Sequence, residues 1–70
     1  MKKKNVIPRK FDRITCKMLT ETSESKIGDV FHVYKNECGY LALNTTTGKY
    51  CYCFPSMLRD NNICQFLEVV

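Results

Sequence analysis

Tryptophan is absent from this 70-residue chain, histidine occurs once, and there are only three glycines and two prolines. These scarcities exclude a good deal. No segment approaches the ~20 consecutive apolar residues that a membrane-spanning helix needs. Met1-Lys2-Lys3-Lys4 has the charge of a secretory n-region, but Asn5, Pro8, Arg9, Lys10, Asp12 and Arg13 interrupt the stretch that would have to be apolar. The expected location is therefore the cytoplasm, with no membrane partner. No glycine-rich loop is present to cradle a phosphate, and the carboxylates show no pairing signature. A Cys–His nucleophile needs a base in contact with it and a third group to orient that base; with His32 as the lone imidazole, no such set is visible. The chain reads as a non-enzyme with no catalytic residues and no cofactor.

What is present is charge, cysteine and short β-like runs. Seventy residues make one domain, and a domain this small buries only ~60% of its unfolded surface. The net charge of +4 is uneven. Residues 1–17 carry +6 and residues 18–70 carry −2, so the basic character belongs to an N-terminal arm, expected to be flexible over residues 1–10. Five cysteines is a high and odd count. Without an export signal they are expected to stay reduced, so Cys16, Cys38, Cys51, Cys53 and Cys64 read as small hydrophobes. Cys51 and Cys53, with Cys38, Cys64 or His32, offer four zinc-type ligands. In a strand, however, the Cys-x-Cys spacing sets the two sulfurs ~6–7 Å apart, too far for one tetrahedral ion, and no metal site is expected.

Punctuation divides residues 11–70 into five strands. Ile14, Cys16 and Met18 alternate with Thr15, Lys17 and Leu19, predicting a first strand over about 12–20. Thr20–Ser25 is a polar loop. After Ile27-Gly28-Asp29 a second strand covers Val30–Lys35, with Phe31 and Val33 towards the core and Val30, His32 and Tyr34 away from it. Asn36–Gly39 is a hairpin turn, and Tyr40–Asn44 a third strand. Thr45–Gly48 is a second hairpin with Gly48 free to take positive φ. In the fourth strand, Lys49–Phe54, the aromatics Tyr50, Tyr52 and Phe54 share one face, and Cys51 and Cys53 share the other. Pro55 stops pairing, Ser56-Met57-Leu58 fits one 3₁₀ turn with Leu58 inward, and Ile63–Val70 is the last strand. It is expected to pair with the first, in a barrel that leaves no edge free. Without Trp, at least two of the four tyrosines are expected to fill the core.

Three of these markers carry a resemblance. Lys26-Ile27-Gly28-Asp29 resembles the Lys-x-Gly-Asp lead-in to the second strand of SH3 domains. Thr46-Thr47-Gly48 resembles their distal hairpin, and Phe54-Pro55-Ser56 resembles the segment that opens their 3₁₀ turn. The resemblance covers roughly residues 14–70 and implies an all-β, five-stranded SH3-like barrel. An Ala-Leu-Tyr-Asp-Tyr motif, a dense acidic first loop and the clamping Trp are missing, so recognition of proline-rich peptides does not carry over. In overall form the chain looks like the small SH3-like proteins of bacteriophages and prophages. That resemblance implies a binding module, such as an inhibitor or modulator of a host protein, including host defence proteins.

Two partner classes follow. For a protein partner, the candidate contact residues are His32, Tyr34 and Leu41, set against the inferred core face of strands two and three. Tyr and other aromatic side chains supply most interface energy through burial at low entropy cost. The alternative is nucleic acid, with Lys2, Lys3, Lys4, Arg9, Lys10 and Arg13 on phosphates and Tyr34, Tyr40, Tyr50 and Tyr52 as stacking residues. The net negative charge of residues 18–70 favours the protein.

Overall fold

In the computed structural model, which describes residues 5–37 and 39–70, the chain forms one antiparallel five-stranded sheet. Its strands are β1 (Ile14–Met18), β2 (Val30–Asn36), β3 (Gly39–Asn44), β4 (Lys49–Cys53) and β5 (Cys64–Val69), with one short helix, α1 (Pro55–Arg59), between the last two. The spatial order is β4-β3-β2-β1-β5. β1 leads to β2 through the loop of residues 19–29, β2 to β4 meander through tight hairpins, and β5 returns to the far side of β1, as the sequence predicts. Among the described residues no helix is long and apolar enough to cross a membrane.

The closed barrel expected from the sequence does not form. β4 pairs only with β3 and β5 only with β1, so the sheet is open along a seam between its two outer strands. The physical reason lies in the connection. Pro55 ends the β4 ladder, and the chain crosses the seam as α1 and a turn. It contributes the buried side chain of Leu58 where a closed barrel would have a backbone ladder. The single turn is also α rather than 3₁₀. The Phe54 carbonyl accepts from the N–H of Met57 at 3.0 Å and from that of Leu58 at 3.4 Å, and Pro55 occupies the first turn, where its missing N–H leaves nothing unpaired.

Alternation decides the two faces. The concave face carries Ile14, Cys16 and Met18 of β1, Phe31 and Val33 of β2, Ala42 of β3 and Cys64 of β5, all buried and joined by Leu58. Ile7, Phe11, Tyr40, Cys51, Cys53, Ile63 and Phe66 pack around them. Of the tyrosines only Tyr40 joins this cluster, stacked at a tilt on Phe11 with ring centroids 6.0 Å apart. The expectation that two or more tyrosines fill the core is corrected: cysteine and methionine occupy that space.

One buried polar residue ties two turns together. Asn44 is 2% exposed. Its Oδ1 accepts from the N–H groups of Thr46 and Thr47 in the β3–β4 hairpin, at 2.9 and 3.3 Å. Its Nδ2 donates to Asp29 Oδ2 at 3.0 Å in the turn before β2. The same carboxylate oxygen accepts from the Lys26 N–H at 3.1 Å, in a turn that Gly28 closes at φ +94°. These two hydrogen bonds, Asn44 first, hold the Asp29 carboxyl below its ordinary value.

The segment expected as a flexible arm reaches the body in its described part. Asn5 Nδ2 donates to the carbonyl oxygens of Leu58 and Cys64, both at 2.9 Å. It thereby bridges the end of α1 to the start of β5.

Candidate interaction face

The strand register brings the three predicted contact residues onto one surface. Tyr34 of β2 is the direct cross-strand partner of Leu41 of β3, and His32 is that of Leu43. β4 extends both rows, with Tyr52 opposite Leu41 and Tyr50 opposite Leu43. The convex face of β2–β3–β4 is thus two parallel rows, Tyr34–Leu41–Tyr52 and His32–Leu43–Tyr50. Directly opposed side chains lie about 4.5–5.5 Å apart at Cβ, so each row is a continuous strip. Tyr50 and Tyr52 are 61% and 71% exposed, while His32, Tyr34, Leu41 and Leu43 are half-buried. The strip contains no acidic, lysine or arginine side chain.

Leu43, Tyr50 and Tyr52 were not singled out as contact residues from the sequence. From the sequence the tyrosines divide between core packing and base stacking, and the pairing register that aligns Tyr50 and Tyr52 with His32 and Tyr34 becomes visible only once the strands are placed. A signal did exist: the Tyr-Cys-Tyr-Cys alternation of β4 already assigns its aromatics and thiols to opposite faces.

The basic candidates scatter. Lys2, Lys3 and Lys4 lie outside the described residues. Arg9 and Lys10 are exposed. Arg13 is engaged: its Nη2 donates to Glu68 Oε1 at 2.9 Å across the β1–β5 edge. Of the candidate stacking residues, Tyr40 is turned into the core cluster.

On the opposite side, the seam opens into an apolar cavity of about 240 Å³ behind β4. Four thiols line it: Cys16, Cys51, Cys53 and Cys64; the fifth cysteine, Cys38, lies outside the described residues. Cys16 and Cys64 are buried; Cys64 Sγ donates to the carbonyl oxygens of Leu58 and Met57 at 3.6 and 3.7 Å, and its closeness to Cys16, together with burial, holds the Cys16 thiol far above the usual thiol range. Burial pushes Cys53 up to about 11, and raises Cys51 with help from the negative charge of Glu24 nearby. The Cys64 thiol is shifted the other way, held below its ordinary value by its interaction with Cys16. The other three stay protonated, and protonated thiols are poor nucleophiles and poor metal ligands. Among the described residues, no group of three or more His, Cys, Asp or Glu is arranged to hold a metal ion.

Comparison with family models, with curated proteins and with solved structures finds no match to this chain.

Proposed function

We propose that this protein is a non-catalytic binding module whose partner is another protein, docked on the convex face of β2–β3–β4. One observation carries the reading: six aromatic and aliphatic side chains, with no acidic, lysine or arginine residue among them, stand in two in-register rows on a sheet face that no described element covers. Aromatic side chains in such a position lose little conformational entropy on burial and dominate protein interfaces. The sheet order supports the SH3-like reading of the fold, here as an open variant. The resemblance to small phage barrels makes a host protein the partner in this proposal, with the module acting by occluding a surface of it. The pairing of Arg13 with Glu68 counts against a phosphate-binding arm.

The test is capture from a lysate of the natural host, with and without nuclease, by the wild-type protein and by Tyr34→Ala. The expected result is a defined protein partner that resists nuclease and is lost with Tyr34→Ala, while the circular dichroism spectrum is unchanged. Capture that vanishes with nuclease, and also on neutralising Arg9 and Lys10, would replace this reading by nucleic-acid binding.

A further inference from the structure

The two outer strands of the sheet are finished differently. The β5 edge is irregular. Its pairing with β1 shifts register between Thr15 and Cys16, which leaves Leu67 as the extra residue of a bulge, and it carries the charged Glu68. Bulges and charges are the devices by which edge strands avoid adding another strand. β4 has almost none of them. Lys49–Cys53 contains no proline, pairs with β3 in unbroken register, and holds a single charge, Lys49, at its first position. Its other edge pairs with no strand, and its tyrosines stand in solvent.

The sequence of the strand says what fits there. We propose that β4 adds antiparallel to the β4 of a second copy of this chain, with the two-fold axis passing beside Cys51. Tyr50 of each copy then faces Tyr52 of the other on the convex side. On the concave side Cys51 faces Cys51, and Lys49 faces Cys53. This register pairs the whole strand, whereas a slip of two residues leaves only Lys49–Cys51 or Cys51–Cys53 paired. A slip of one sets tyrosine against cysteine and joins convex face to concave face.

Charge agrees with the same arrangement. Lys49 of the second copy arrives diagonal to Cys51 on the concave side, where Glu24 stands close enough to raise the Cys51 thiol. Among the described residues neither Lys49 nor Glu24 has an ion-pair partner of its own. The product is closed: a ten-stranded sheet whose two outer strands are the irregular β5 edges. Tyr34, Leu41 and His32 remain uncovered on both halves, so the inference does not rest on the proposed function.

Sedimentation equilibrium at concentrations rising to about 1 mM, the weak end of specific association, tests it. The wild-type protein is expected to pass from monomer to dimer and no further. Tyr50→Glu with Tyr52→Glu sets like charges opposite each other at both tyrosine pairs, and association is expected to weaken at least roughly tenfold. Tyr50→Glu with Tyr52→Lys sets opposite charges at the same two positions and should restore the dimer in a salt-sensitive form. Both side chains are mostly exposed, so the monomer fold should survive, which circular dichroism checks. A wild-type protein that stays monomeric to 1 mM, one that grows beyond a dimer, or two double variants that behave alike would each overturn the proposal.

Discussion

The two faces of the β3–β4 hairpin have the volumes of their side chains largely reversed from the usual arrangement of a small domain, in contrast to β2, whose Phe31 and Val33 point inward. Inward, apart from Tyr40 at the start of β3, the hairpin strands present Ala42, Asn44, Cys51 and Cys53; outward, they present Leu41, Leu43, Tyr50 and Tyr52. Burying a large aromatic gives more stabilisation than burying a thiol of half its size. In β4 the aromatics are spent on the surface, and the core beneath is filled by thiols and Ala42 packed around Ile14, Val33 and Phe31. The face that would contribute most to stability is left free to contribute to association. The difference teaches that residue type alone does not locate a core; alternation and register do.

The largest way to break the comparison is to truncate the concave face. Ile14 and Val33 are essentially inaccessible, and Ile14→Ala should destabilise by about 2–5 kcal/mol. In a domain this small that leaves little folded protein, as thermal melting followed by circular dichroism would show. Asn44→Ala comes next. It removes the amide that joins the two turns, leaves the Thr46 and Thr47 N–H groups without their acceptor, and leaves Asp29 Oδ2 with the Lys26 N–H alone. The expected loss is about 1–3 kcal/mol, measured by urea denaturation.

The convex face should respond in the opposite manner. Tyr52→Ala should change stability by no more than about 0.5 kcal/mol, while Tyr34→Ala should weaken partner binding by about 1–2 kcal/mol, measured by calorimetry with the captured partner. If Tyr52→Ala instead unfolds the protein, the reading of the two faces is reversed.

Smaller effects sharpen the picture at its margins. The Asp29 carboxyl is depressed when folded, so its stabilisation is fully present above the ordinary value of 3.8 and is lost as pH falls below that towards the lower folded value. An acid melting series should therefore show wild type and Asp29→Ala converging in that window, and diverging at neutral pH. Glu68→Gln, which removes the exposed partner of Arg13, should likewise cost only about 0.2–1 kcal/mol, less at high salt.

Much of this architecture was legible in the chain. Period-two alternation placed Ile14, Cys16 and Met18 inward and His32 and Tyr34 outward. The turn chemistry of Gly28-Asp29, Thr45–Gly48 and Pro55 located the strand breaks within a few residues. Three things were not legible. The open seam depends on how far the Phe54–Ile63 crossing spans, which is a three-dimensional distance with no local signal. The bridge from Asn5 to Leu58 and Cys64 joins residues more than fifty positions apart, and an Asn next to a lysine run reads as solvated. The role of Tyr40 as the lone core tyrosine depends on its meeting with Phe11. Of the candidate face, His32, Tyr34 and Leu41 were visible from alternation, but β4's contribution required the pairing register.

The thiol-lined cavity also supplies the molecule with its own gauge of motion. In a Cys38→Ser background, four cysteines remain at graded depth: Cys51 and Cys53 half-buried beside the seam, Cys16 and Cys64 sealed beneath it. A thiol reagent reaches a sealed cysteine only through an opening of the fold, so its labelling rate reports the population of the open form when closing outpaces reaction. Loosening confined to the seam would expose the β4 pair while the Cys16–Cys64 pair waits for the sheet to come apart. Four time courses, read by mass spectrometry, would then separate breathing of one edge from loss of the whole structure.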